Sequence, residues 1–239
     1  MRNAVLGCLI LFGILSGGCF GIPIHARTGP WTELHPILQA LPTERVEIPA
    51  GDGVTLRGIW VEKDGPPVLL LYGSGMKIES SRKIISILHH GGYGVLCCDY
   101  RGTGNSSGRR DSRTLDDDAR ALWSWLKVNK RRPAGVVGIS IGAIAATGLL
   151  TLPDPPEAVV LERLVDPNTV ILHFVGQYTI LGAIAAALLA RPKVDLSVRH
   201  QIERTDTATL LLLPEHDVLF PARERDRLAK RAPDNVRVV

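Results

Sequence analysis

Apolar residues come in short blocks along this chain, and the spacing inside each block separates strands from helices. Val46 and Ile48 alternate with polar neighbours in Arg45-Val46-Glu47-Ile48-Pro49, and a second run spans Val54 to Glu62 beyond the Gly51-Asp52-Gly53 turn. Two such runs around a tight glycine turn predict an antiparallel hairpin with one wet face. Val68-Leu69-Leu70-Leu71-Tyr72 is apolar at every position, as a strand covered on both faces must be. Tyr93 to Cys98, Ala134 to Val137, Glu157 to Leu161 and Thr209 to Leu213 read the same way, as buried strands.

Helical spacing fills the intervals. Ser80 to His90 is amphipathic, with Ile84, Ile85, Ile87 and Leu88 expected inward. Leu115 to Val128 opens on Asp116, Asp117 and Asp118, which suits the positive end of a helix dipole. Ala143 to Leu150 is a run of small and apolar residues, Pro221 to Ala232 a charged helix, and Asn235 to Val239 begins a last strand. Strands alternating with helices predict an α/β fold, a mostly parallel twisted sheet with helices on both faces.

Two segments break the rhythm. Residues 20–44 carry Pro23, Pro30, Pro36 and Pro42 and read as a poorly structured lead-in, so the folded domain is expected over 45–239. Residues 164–207 hold Thr169 to Ala190, apolar for about the length of a membrane span yet carrying His173 and Gln177. They are expected to form a helical cap insertion over a pocket, with a lid resting on a membrane as the alternative.

The amino terminus changes the picture of where the chain works. Met1-Arg2-Asn3 is a short basic head, Ala4 to Leu15 an apolar core, and Ser16-Gly17-Gly18-Cys19 places small residues before a cysteine. Residues 1–19 therefore read as a signal peptide. The segment resembles a lipoprotein signal with Cys19 as the lipidation site, although Leu15 lies four positions before the cysteine rather than three. A plain secretory signal and an uncleaved anchor are the alternatives. All three export the protein, as a membrane-anchored lipoprotein or a periplasmic or secreted bacterial protein.

Bulk composition narrows the rest. At 239 residues with 45% hydrophobic and 22% charged positions, the chain suits one domain with a substantial core. A net charge of +4 with 5% aromatic residues lacks the interleaved basic and aromatic pattern of nucleic-acid binding. The four cysteines, Cys8, Cys19, Cys97 and Cys98, include no metal-binding spacing, so no metal site is expected. Adjacent Cys97 and Cys98 read as small apolar strand residues, a strained vicinal disulfide being the alternative.

The chemistry centres on Gly138-Ile139-Ser140-Ile141-Gly142, between a strand-like run and a small-residue helix. Gly-x-Ser-x-Gly in that setting reads as a nucleophile elbow: the serine sits on a strained strand-to-helix turn, where side chains on the flanking glycines would collide with neighbours. Acyl-group hydrolysis needs a nucleophile, a base, an acid to orient the base, and donors for the oxyanion. Ser140 is the candidate nucleophile. Ile141 N–H is the first candidate oxyanion donor and Ser74, in Tyr72-Gly73-Ser74-Gly75-Met76, the second. Asp217, just past the Thr209 to Leu213 strand, is the candidate acid, with Glu162 as its substitute.

These residues resemble the α/β-hydrolase family, and within it the serine hydrolases that include the Bem46-like and serine aminopeptidase-like domains. The likeness is carried by Gly138 to Gly142, by the loop Cys98-Asp99-Tyr100-Arg101-Gly102-Thr103-Gly104-Asn105-Ser106-Ser107-Gly108, and by Asp217-Val218-Leu219-Phe220-Pro221. It implies an eight-stranded, mostly parallel sheet and cofactor-free hydrolysis of a small-molecule acyl ester, thioester or small amide. It also implies that Asp99 and Arg101 shape a turn beside the site without taking part in the chemistry. A membrane surface, reached through the lipid anchor or the cap, is the other expected partner.

Two departures stand out. The family's loop after the third strand usually begins His-Gly, whereas this chain has Tyr72-Gly73. The family's catalytic histidine follows the last strand, and here no histidine follows Asp217. His216, His173, His200, His89 and His90 are weaker candidates on position. The sequence is therefore expected to be truncated before its base and to be inactive or nearly so as written. A non-catalytic binding module on the same fold is the alternative function.

Overall fold

The computed structural model describes residues 32–111, 114–130, 135–164, 198–214 and 222–239. Asp217, His173, His216 and Cys19, and most of the expected cap, lie outside the described residues. The first described element, helix α1 at Pro36–Gln39, precedes the expected start of the fold. Pro36 presets the first helical turn, His35 Nδ1 accepts from Ile37 N–H, and Leu38 is fully buried. Pro36 and Pro42 therefore punctuate packed structure, and the lead-in as bounded at residue 44 includes part of the body.

Strands β1, Thr43–Pro49, and β2, Thr55–Val61, form the expected antiparallel hairpin. Val46 and Ile48 of β1 face inward and their neighbours outward. β3, Pro67–Leu71, and β4, Gly94–Cys98, are buried at all positions and pair parallel. β5, Gly135–Ile139, β6, Ala158–Glu162, β7, Ala208–Leu212, and β8, Val236–Val238, extend the parallel side. The described strands make one eight-stranded sheet in the order β1-β2-β4-β3-β5-β6-β7-β8, antiparallel only where β2 meets β1 and β4. β6 and β7 alternate in burial, so they are half-covered where the sequence led us to expect strands buried on both faces.

Helix α2, Arg82–His90, follows a 3₁₀ turn at Ile78–Ser81. α3 is Leu115–Lys130, α4 Ile141–Leu149, α5 Val198–Ile202 and α6 Ala222–Arg231. Right-handed crossovers put α2, which steps from β3 back to β4, on one face. α3 and α4, which step the other way, lie on the opposite face, and they pack against each other. Helix α2 corrects one expectation: Ile85 is fully buried, but Ile87 is 70% exposed. At 100° per residue, two positions on from Ile85 is nearly the opposite side, and His89 takes the inward place instead. Residues 198–207, expected in the cap, belong to the body of the fold. Val198, Ile202, Thr205 and Thr207 are buried, and α5 packs on α4.

Cys97 and Cys98 are buried free thiols, and burial raises both above the ordinary thiol value. Successive residues of a strand face opposite sides of the sheet. Native protein is expected to leave both unmodified by iodoacetamide under conditions that label them fully in guanidinium, as read by peptide mass. Rapid native labelling of either would show that β4 is not covered on both sides.

Candidate active site

β5 ends at Ile139, and the backbone then bends sharply. Ser140 has φ 55° and ψ −115°, outside the regions open to side-chain-bearing residues. Its N–H donates to Glu162 O at 2.9 Å, and its carbonyl accepts from Ala143 N–H at 2.9 Å and Ile144 N–H at 3.3 Å. One residue thus closes the strand ladder on one side and opens α4 on the other. Both flanking glycines are required by space. A Cβ on Gly138 would lie 2.7 Å from Ala143 Cα, and one on Gly142 would lie 2.0 Å from Leu71 O. Gly142→Ala is expected to cost about 1–3 kcal/mol by overpacking against the β3 backbone, measured by urea unfolding. Unchanged stability would show that α4 and β3 do not touch so closely.

Ser140 is half-buried, and its Oγ has no hydrogen-bond partner among the described residues. The loop after β3 sits directly against it: a Cβ on Gly73 would lie 3.4 Å from Ser140 Cβ. Ser74 is exposed beside this contact. The N–H groups of Ile141 and Ser74 find no acceptor among the described residues, Ile141 as the first residue of α4. The sequence-derived nucleophile and oxyanion candidates therefore meet at one sheet edge.

The departure at Tyr72 has a structural account. Its ring is buried at 4.9 Å from that of Tyr100, and its hydroxyl donates to Asp99 Oδ1 at 2.9 Å. Position 72 faces the core side of the loop. Asp99 also accepts from Asn105 N–H at 2.9 Å and Ile78 N–H at 3.3 Å, and burial raises its carboxyl above the ordinary range. Arg101 is buried too. Its Nε donates to Asp118 Oδ1 at 2.7 Å, its N–H to Asp118 Oδ2 at 2.9 Å, and its Nη1 to Asp52 Oδ2 at 2.6 Å. These groups are consumed in holding the loop.

Register places Glu162, the substitute acid. Ile139 lies opposite Glu162, and Glu162 opposite Leu212, so the ends of β5, β6 and β7 are level. Asp217 lies outside the described residues, which end on this side at Pro214, two residues past β7. Glu162 is half-buried on the intervening strand, its Oε1 3.9 Å from Arg163 Nε. Arg163 itself has φ 49°, a bend that no sequence signal announced.

None of the described histidines hydrogen-bonds Ser140. His89 Nε2 is 3.1 Å from Glu62 O, at the opposite sheet edge, and His90 Nδ1 is 2.7 Å from Ser86 O on its own helix. His200 is exposed, with Nε2 2.9 Å from Arg204 Nη1, and His35 caps α1. Among the described residues no group of three or more His, Cys, Asp or Glu is placed to hold a metal ion. No described helix is long and apolar enough to cross a membrane. A shallow groove of about 670 Å³ between the β1–β2 turn and α3 is lined by Gly51, Trp125 and Val128, and Ser140 is not part of its lining.

Comparison with known proteins agrees with this geometry. Residues 66–165 match the family model described as serine aminopeptidase, S33. Over 210 residues the chain is 30% identical to an uncharacterized protein of Mycobacterium tuberculosis, spanning 83% of this chain and 71% of that one. It is 35% identical over 114 residues to the lysophosphatidylserine lipase ABHD12 of Danio rerio, covering 43% of this chain and 30% of the lipase. Among solved structures, the Pyrococcus furiosus esterase Pf2001 superposes with a TM-score of 0.70 at 22% identity, over 87% of this chain and 86% of that one. An alpha-beta hydrolase from Vibrio vulnificus gives 0.71 at 21% identity, over 90% and 82%.

Proposed function

The chain belongs to the α/β-hydrolase family, and on that premise we propose that it is a serine hydrolase that cleaves an acyl ester, thioester or small amide through an acyl-enzyme on Ser140. The observation that carries this reading is the backbone of Ser140. A non-glycine residue held at φ 55° and ψ −115° leaves its Oγ without a hydrogen-bond partner among the described residues, while the next N–H starts a helix. Strain of this kind persists where the surrounding structure over-determines it, and it clusters at active sites.

In this reading Ser140 Oγ attacks the acyl carbon as its proton passes to a base. The carbonyl oxygen becomes an oxyanion facing the N–H groups of Ile141 and Ser74, with the positive end of the α4 dipole behind it. Collapse expels the alcohol, thiol or amine, and water then attacks the acyl-serine by the reverse sequence of proton transfers. Asp217 is assigned to orient the base, and none of the described histidines is assigned the base role. The names of the P. furiosus esterase and the ABHD12 lipase favour the ester within this class.

The test is labelling by a fluorophosphonate probe, which reacts with activated serines. Attachment mapped to Ser140 by peptide mass, and lost in Ser140→Ala, is the expected result. A folded full-length gene product that takes up no probe would overturn the reading in favour of a non-catalytic module on the same fold.

A further inference from the structure

The loops that leave the adjacent strands β3 and β4 meet beside Ser140, and their junction is an arginine. Arg110 Nη2 lies 3.4 Å from Ser74 Oγ, in the loop whose Gly73 touches Ser140. That path puts the guanidinium within roughly 15 Å of the serine. Arg110 is half-buried, and no carboxylate among the described residues lies within ion-pair distance of it. Arg57, Arg101 and Arg120, in contrast, each hold a carboxylate within 3 Å.

The backbone that carries Arg110 is fixed by buried groups. Arg101 is tied to Asp118 and Asp52, and Gly102 N–H donates to Ser107 O at 2.9 Å. Gly102 has φ 66°, and a Cβ there would lie 2.2 Å from Arg110 N. The chain folds back on this glycine and returns Arg110 to the Ser74 loop. The guanidinium is thus delivered by a fixed turn to the rim of the site, and Ser74 Oγ is its one side-chain partner among the described residues. A planar fork of N–H groups in that position matches the two oxygens of a carboxylate or phosphate.

We propose that Arg110 is a specificity-determining residue that binds a carboxylate or phosphate carried on the substrate near its scissile ester, an inference that rests on the reading of Ser140 as the nucleophile. The neighbouring charges sharpen it. Lys77 and Arg109 are exposed on the same two loops and add to the positive field. Glu162 opposes it from β6 and has Arg163 as its nearest cation.

The test has a binding arm and a kinetic arm. Hexyl phosphate, hexanoate and hexanol are titrated calorimetrically into the Ser140→Ala protein. At least one anion is expected to bind tenfold or more tightly than hexanol, and which of the two does so separates phosphate from carboxylate recognition. The preference is expected to vanish with Arg110→Ala, to survive in part with Arg110→Lys, and to stay within twofold with Arg109→Ala. With Ser140 present, 4-nitrophenyl butyrate is compared with 4-nitrophenyl hydrogen succinate, and phenyl acetate with 4-acetoxybenzoate. Arg110→Ala is expected to lower kcat/KM about 10–100-fold on the anionic member of one pair and under twofold on the neutral member. The pair that responds tells whether the anion sits on the acyl or the leaving side.

Equal binding of anions and hexanol would overturn the assignment, as would a loss shared equally by Arg109→Ala. Anion preference lost with Arg110→Ala in a chain that hydrolyses no ester would leave Arg110 as the anion site and remove the proposed function instead.

Discussion

With a base beside Ser140, Ser140→Ala is expected to lower kcat/KM for an activated ester by roughly five to six orders of magnitude, with the fold intact. Loss of a nucleophile leaves the little that the oxyanion donors and substrate binding supply by themselves. Ser140→Gly is the more informative partner. Residue 140 sits at φ 55° and ψ −115°, a conformation that costs a side-chain-bearing residue about 1–3 kcal/mol. Glycine relieves that strain and gives back part of the gain as unfolded-state entropy, about 0.5–1 kcal/mol. The glycine variant should therefore be inactive and about 1 kcal/mol more stable, a rise in Tm of roughly 2–4 °C. A glycine variant less stable than wild type would mean the bend is not strained, and full activity in the alanine variant would end the assignment of Ser140.

Arg101→Ala is expected to destabilise the protein by about 3–5 kcal/mol, because it leaves the Asp118 carboxylate buried without its partner. Asp118 is fully buried and accepts two hydrogen bonds from Arg101. Replacing both, as in Arg101→Met with Asp118→Leu, should recover much of the loss, since the cost lies in the orphaned charge. The effect should also depend on pH. Burial raises the Asp118 carboxyl above its ordinary value, and Arg101 partly opposes that rise. The folded state therefore holds this proton more tightly than the unfolded chain does. Stability falls as pH increases from the ordinary carboxylate value through the raised one.

Removing Arg101 takes away the opposing attraction and extends that window upward. The deficit of Arg101→Ala against wild type should then shrink as pH is lowered from 8 to 5, because Asp118 becomes neutral. Asp52 is held below the ordinary range by its bond to Arg101, and without that bond it is an exposed carboxylate that still ionises below this interval, so it does not obscure the trend. Urea unfolding at several pH values checks both statements. A deficit that is small, or that grows on acidification, would show that Asp118 does not depend on Arg101 for its charge.

What the sequence made legible was local. The elbow could be read because a sharp bend between a strand and a helix demands glycine at 138 and 142, and the demand is met within five residues. The hairpin, the all-apolar strands β3 and β4 and the helices between them follow from periodicity, since one buried face imposes period two and two buried faces impose none. Helix phase was less secure. Ile84, Ile85, Ile87 and Leu88 offer nearly a full turn of apolar residues, and only contact with the sheet shows that Ile85 faces it and Ile87 does not.

What the tertiary structure decided was proximity between distant segments. Leu38 counts as core because α1 packs onto the body, although four prolines spell an open lead-in around it. Residues 198–207 join the body because α5 rests on α4, which no property of that segment alone reveals. Arg110 and Ser74 are 36 residues apart, and nothing in either stretch links them. They meet because β4 pairs with β3 in parallel, so both loops leave the same edge. Sequence specifies a bend when the bend has its own steric requirement, whereas the company a side chain keeps is set by strand order, which depends on the packing of the whole sheet.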